Sequence, residues 1–230
     1  MGAVVGKTVA MRITLPSGTA AEIVRVDSPT MGLVITPDIF GLRPLFDDHV
    51  ARFAREWNMS VIAVEPFPGQ EEQLGSDVDK RFAAVPQLVD DDHLRDLELA
   101  ADELGIERIG SMGFCMGGMY CFKSARSSRF ARIVSFYGMI VMPETWKSST
   151  QGEPLEILRR GNADRVLAII GERDPYTPPH DVEELSTTGA NVQVYVDAEH
   201  GFAHDTSRPS HRPDDAKDAF TRAKNWLQGA

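Results

Sequence analysis

The sequence predicts an α/β fold with a mostly parallel central sheet and helices on both faces. Three observations predict it. Short apolar, β-branched runs alternate with amphipathic helical stretches from end to end, and such alternation calls for parallel strands covered on both sides. Gly113-Phe114-Cys115-Met116-Gly117-Gly118 lies between an apolar run at 108–112 and an amphipathic stretch reaching 130, the order of strand, tight turn and helix. No repeat, low-complexity run or Pro/Ser linker divides the 230 residues, so one domain over 1–230 is expected.

The elements follow in order. Residues 9–15 and 21–26 read as an opening hairpin that turns at Pro16-Ser17-Gly18. Residues 31–35 form a buried strand, 44–57 an amphipathic helix and 60–64 the next strand. A mixed polar region at 67–86 leads into a helix from about 89 to 104, and Asp90, Asp91 and Asp92 in its first turn suit the positive end of a helix dipole better than a metal. After the strand, turn and helix around Cys115 come strands at 132–136, 166–170 and 192–196, with a helix near 180–187 before the last strand. Residues 214–227 close the chain as a helix with Ala219, Ala223 and Trp226 on one face. The gap from 137 to 165 is too short for a large cap domain, so loops are expected to cover the site.

Composition narrows the function. The net charge of −10 argues against nucleic acid and anionic membrane as partners. The two cysteines, Cys115 and Cys121, fall on one helix about 9 Å apart along its axis, beyond disulfide reach. No structural disulfide is expected, and a reducing, cytoplasmic setting fits. The first residues lack a charged leader and a long apolar core, and no run approaches a membrane span. Gly2-Ala3-Val4-Val5-Gly6-Lys7-Thr8 misses the phosphate-loop spacing by one residue and follows no strand. Asn58-Met59-Ser60 is a chance sequon leading into a buried strand.

Chemistry concentrates at Cys115. Glycines two residues to either side make a nucleophile elbow, a turn too sharp for side chains at 113 and 117. The turn holds the thiol at a helix N-terminus, which favours thiolate. In α/β-hydrolases the orienting acid and then the histidine follow the nucleophile. Here the 166–170 strand runs into Gly171-Glu172-Arg173-Asp174-Pro175, and the last strand runs into Asp197-Ala198-Glu199-His200-Gly201-Phe202. Asp174 is preferred over Glu172 as the acid, and His200 is the base. His204 makes no metal pair with His200, because the loop is not helical and no third ligand is evident, so no metal is expected.

Ile39-Phe40-Gly41 after an apolar strand, the Cys elbow with its double glycine, Gly-Glu-Arg-Asp at 171–174 and His200-Gly201-Phe202-Ala203 resemble the dienelactone hydrolase family over most of the chain. The resemblance implies an α/β-hydrolase fold, ester or lactone opening with carboxymethylenebutenolidase as the reference activity, and no cofactor. It makes Cys115 the nucleophile, Asp174 the acid and His200 the base, with the backbone N–H groups of Ile39 and Met116 as the oxyanion hole. Asp38 stands where the family has a glutamate that rests against the thiol and helps generate thiolate, one methylene shorter here. Arg81 and His204 stand where the family has arginines for a substrate carboxylate, and an imidazole binds carboxylate less firmly than a guanidinium fork. Phe40, Tyr137 and Phe202 are further candidates for substrate contact. The expected partner is a small-molecule ester or lactone, and the expected state a monomer or small homo-oligomer. Two rival functions are a non-catalytic small-molecule receptor on the same fold and a thiol redox sensor at Cys115.

Overall fold

The computed structural model describes residues 9–229 of the protein, so the phosphate-loop-like run at 2–8 lies outside the described residues. Eight strands form one sheet in the order β1-β2-β4-β3-β5-β6-β7-β8. They are β1 (Met11–Thr14), β2 (Ala20–Val24), β3 (Gly32–Thr36), β4 (Ser60–Val64), β5 (Ile109–Phe114), β6 (Arg132–Phe136), β7 (Val166–Gly171) and β8 (Asn191–Tyr195). The β1–β2 and β2–β4 pairs are antiparallel, and every pair from β4 through β8 is parallel. The hairpin turns where the sequence predicts, with Gly18 at φ 95° and Leu15 N–H donating to Thr19 O at 2.8 Å.

Burial explains the strand compositions. Every residue of β3, β4, β5 and β7 is buried, as befits central strands covered on both faces, whereas β1 and β8 at the two edges are largely open. The covering helices are α1 (Pro44–Trp57), α2 (Glu71–Leu74), α3 (Val78–Ala84), α4 (Asp90–Leu104), α5 (Met116–Ser124), α6 (Pro154–Arg159), α7 (Pro179–Ser186) and α8 (Pro213–Gln228). Proline opens α1, α6, α7 and α8 in the first turn, where its missing N–H costs nothing. The mixed polar region at 67–86 contains α2 and α3, the latter capped by Asp77, whose carboxylate accepts from the N–H groups of Asp79 and Lys80. None of the helices among the described residues is long and apolar enough to cross a membrane.

The three aspartates do occupy the first turn of α4, and two of them also hold a cation. Asp91 pairs with Arg126 at the surface. Asp90 is buried and takes the ammonium of Lys123, which is also fully buried, at 2.8 Å. It is the counter-ion of a lysine on α5 and ties the start of α4 to the helix that leaves the elbow. Its second oxygen accepts from Gly152 N–H at 2.8 Å.

Candidate active site

The carboxyl ends of the parallel strands gather the site. Ile39 follows β3, Glu65 follows β4, Cys115 follows β5, Tyr137 follows β6, Asp174 follows β7 and His200 follows β8. Ligands bind at this edge in open parallel sheets, because successive loops converge there.

Cys115 holds φ 57° and ψ −120°, a conformation that costs a non-glycine residue about 1–3 kcal/mol. Its surroundings enforce it. A Cβ on Gly113 would drive into the Gly117 carbonyl, and one on Gly117 into the carbonyls of Thr36 and Pro37. Cys115 N–H donates to Phe136 O at 3.0 Å and pins the turn to β6. The thiol therefore stands at the N-terminus of α5, 7 % exposed. Cys121, one and a half turns on, is fully buried, and burial pushes its thiol up to about 12. Both cysteines are free.

His200 Nδ1 lies 2.7 Å from Asp174 Oδ2, and since a carboxylate only accepts, the ring proton sits on Nδ1. The other Asp174 oxygen accepts from Tyr176 N–H at 2.9 Å, which fixes the carboxylate. Nε2 is buried and has no partner in ordinary hydrogen-bonding geometry among the described residues. Cys115 is nevertheless close enough to govern its charge. Burial works against the imidazolium, but Cys115 and Asp174 outweigh it and hold the group up, at about 10. Glu172, the acid passed over, instead accepts from Asp197 N–H at 3.0 Å.

The N–H groups of Ile39 and Met116 have no hydrogen-bond partner among the described residues. Met116 opens α5, where the first N–H groups of a helix are unpaired by construction. Ile39 lies in a loop braced from two sides. Glu65 is buried and accepts from Leu42 N–H at 2.8 Å and Phe67 N–H at 3.0 Å. Arg81 donates Nη1 to Ile39 O at 3.1 Å and Nε to Gly75 O at 2.7 Å. Arg81 is 4 % exposed, so the structure sets it behind the Ile39 loop rather than in the open site.

Asp38 and His204 are brought together, though not at the surface. Asp38 is fully buried, and its oxygens take Arg43 Nη1 at 2.6 Å, Arg43 Nη2 at 2.9 Å and His204 Nε2 at 2.8 Å. Burial opposes its charge, but His204 and Arg43 prevail and hold the carboxyl well below the usual range. His204 is itself lowered by burial, so a neutral ring donates from Nε2 and accepts at Nδ1 from Tyr137 O–H at 2.5 Å. Tyr137 is buried, with φ 40°, and its ring meets the His200 ring edge-on at 5.2 Å. Phe202 is buried against Tyr137 and Tyr195 and presents no surface to a ligand. Phe40 is half-buried and donates its N–H to Asp38 Oδ1 at 3.0 Å.

Glu65 and Arg43 were not singled out in the sequence. Glu65 carries a usable signal, because it follows directly on a strand as Cys115 and Tyr137 do. Arg43 carries none, since its role depends on the turn that brings Asp38 back toward it.

Known proteins resemble the chain in sequence and in fold. A Bradyrhizobium protein whose name assigns it 2-oxo-3-(5-oxofuran-2-ylidene)propanoate lactonase activity is 26 % identical over 211 residues, covering 85 % of this chain and 82 % of its own. Carboxymethylenebutenolidase 2 of Cupriavidus pinatubonensis is 24 % identical over 77 % of this chain and 75 % of its own. A crystal structure from Klebsiella pneumoniae, named as a dienelactone hydrolase, superposes with a TM-score of 0.81 at 24 % identity, covering 96 % of this chain and 98 % of the other. The model of the Dienelactone hydrolase family matches residues 19–230, and the chain belongs to that family.

Proposed function

We propose that the protein opens a lactone or carboxylic ester through a covalent thioester on Cys115, with His200 as base and Asp174 as its orienting acid. Family membership makes the chain a hydrolase of esters or lactones. The observation that carries the finer reading is the state of His200. Its Nδ1–H is committed to Asp174, its Nε2 is free toward Cys115, and its proton is held up to about 10. An imidazole oriented by a carboxylate, with its other nitrogen open toward a thiol, suits the role of that thiol's base.

The steps follow from this arrangement. The Cys115 thiolate attacks the carbonyl carbon, and the C=O electrons move onto oxygen. The N–H groups of Ile39 and Met116 receive that oxyanion, an effect worth about 3–4 kcal/mol per donor. The tetrahedral adduct collapses, the C–O bond to the leaving alkoxide breaks and His200 gives it a proton. In a lactone the alkoxide stays attached as the far end of the acyl group. Water loses a proton to His200 and attacks the thioester, the Cys115 thiolate leaves and takes that proton back to restore the thiol–imidazole pair, and the acid released gives its own proton to solvent. Nucleophile, base and oxyanion donors all come from the chain. Thiolate leaves more readily than an amine, so esters are expected to turn over and amides to be poor substrates.

The lactonase and carboxymethylenebutenolidase names of the relatives support a lactone as substrate. The cytoplasm is the setting this reading favours, since the nucleophile is a free thiol. A nitrophenyl ester tests the mechanism. Wild type should release a burst of nitrophenol, and Cys115→Ala should lose both the burst and steady turnover. Undiminished turnover in that variant rules out Cys115 as the nucleophile.

A further inference from the structure

The cleft beside His200, about 510 Å³, is smaller than a second one on the far side of α1. That second cavity, about 760 Å³, opens between α1 and α8 and is lined by neither Cys115, Asp174 nor His200. Its volume falls in the range of small-molecule sites, about 300–1,000 Å³.

Its walls mix aromatic and charged side chains, and its charge is unusual for this chain. Phe53, Trp57 and Phe220 line it with Arg52, Lys217 and Lys224. Three cations thus stand against two acids, Asp48 and Glu56, in a protein whose net charge is −10. Glu56 is already paired with Arg55 at 2.9 Å, and Asp48 stands exposed on the rim.

Arg52 is the distinctive group. Its guanidinium lies 4.6 Å from the ring centres of both Phe53 and Phe220. Its Nε and Nη2 are buried without a hydrogen-bond partner, and it makes no ion pair among the described residues. His211, also on the wall, leaves a buried Nδ1 unpartnered. A half-buried guanidinium with unused donors is costly unless something else meets it. An organic anion with an apolar body would meet the open part of this guanidinium with its charge and lay its body against Phe220 and the edge of Trp57.

We propose that the α1–α8 cleft is a second binding site, distinct from the ester site, for a small amphipathic carboxylate anchored by Arg52. A protein partner is disfavoured, because the apolar surface here is recessed and the large hydrophobic side chains exposed elsewhere do not line it.

Octanoate is the probe, with 1-octanol as its uncharged counterpart. Binding is read by calorimetry and by the fluorescence of Trp57, with Trp57→Phe as the optical control. Octanoate should bind wild type and bind equally well after Cys115 has been alkylated with iodoacetamide. Arg52→Met should weaken octanoate about tenfold or more, through loss of a charge-assisted contact, and leave octanol little changed. Lys217→Glu changes an exposed side chain, so it is safe for folding, and should weaken octanoate by a few-fold in a salt-dependent way. Absence of octanoate binding overturns the proposal. So does binding that alkylation abolishes, which would place the fatty acid in the ester site, or affinity that neither substitution alters.

Discussion

Two histidine–aspartate pairs lie four residues apart on one loop and do opposite things. His200 meets Asp174 at 2.7 Å and His204 meets Asp38 at 2.8 Å, so contact distance does not separate them. What separates them is the second ring nitrogen. His200 keeps Nε2 free toward Cys115 and is held up, to about 10. His204 gives its second nitrogen to Tyr137, is sealed from water, and is lowered by burial. A histidine–carboxylate pair becomes a catalytic base only when one nitrogen is left for the reaction. When both are used it becomes a brace, here linking the loop after β3, the loop after β6 and the loop after β8.

The largest effects should come from the free-nitrogen pair. His200→Ala is expected to lower kcat for a nitrophenyl ester by about 10³-fold or more, and Asp174→Asn by about 10²-fold or more, with circular dichroism unchanged. Comparable turnover in His200→Ala would erase the distinction between the two histidines. The same pair should set thiol reactivity. Iodoacetamide should label Cys115 and spare Cys121, which is fully buried and whose thiol burial pushes up to about 12. Peptide mapping by mass spectrometry reads the ratio, and His200→Ala should slow labelling of Cys115 alone.

The sealed pair should respond in stability rather than in chemistry. His204→Phe leaves the Asp38 carboxylate buried with one partner fewer and is expected to cost about 3 kcal/mol in urea unfolding. Turnover of the folded variant should stay within about tenfold of wild type, since His204 touches no reacting atom. A loss as large as that of His200→Ala would make the brace part of the machinery.

The smallest effect is a slope. His49 and His93, like His204, are lowered by burial, the first two to about 3. Below the ordinary histidine value, about 6.5, the unfolded chain takes up protons that the folded chain refuses, so stability falls as pH falls. Each such histidine contributes a slope of up to about 1.4 kcal/mol per pH unit. His93 has no hydrogen bond at either nitrogen among the described residues and packs on Tyr120 with ring centres 4.2 Å apart. His93→Phe should therefore flatten the urea midpoint between pH 6 and pH 4 while changing little at pH 7. His200 has the opposite sign: its contribution is complete below the unfolded value and is lost as pH rises through about 10.

The sequence made the sheet and the elbow legible because both depend on local pattern. Apolar runs marked the strands to within a residue or two, and the glycines around Cys115 reported a contact with the Thr36 carbonyl that no side chain could share. Asp174 and His200 were legible through order along the chain. The brace was not. The spacing from His200 to His204 says nothing about a loop that turns the second ring inward, and Asp38 meets it from 166 residues away. Lys123 and Asp90 escaped for the same reason, since a charged residue on a helix reads as solvated until its counter-ion is placed in space. Arg81 showed its position but not its direction, because its donors go to main-chain carbonyls that carry no sequence signature.

The enclosure of His204 has a spectroscopic consequence. Its Nε2 proton is held against a carboxylate and both side chains are fully buried, so exchange with solvent should be slow enough to give a far-downfield proton resonance. His200 is partly open to solvent, and its ring proton should exchange faster and broaden. The protein therefore carries its own reporter at the junction of three loops, one that can be watched during turnover without a label.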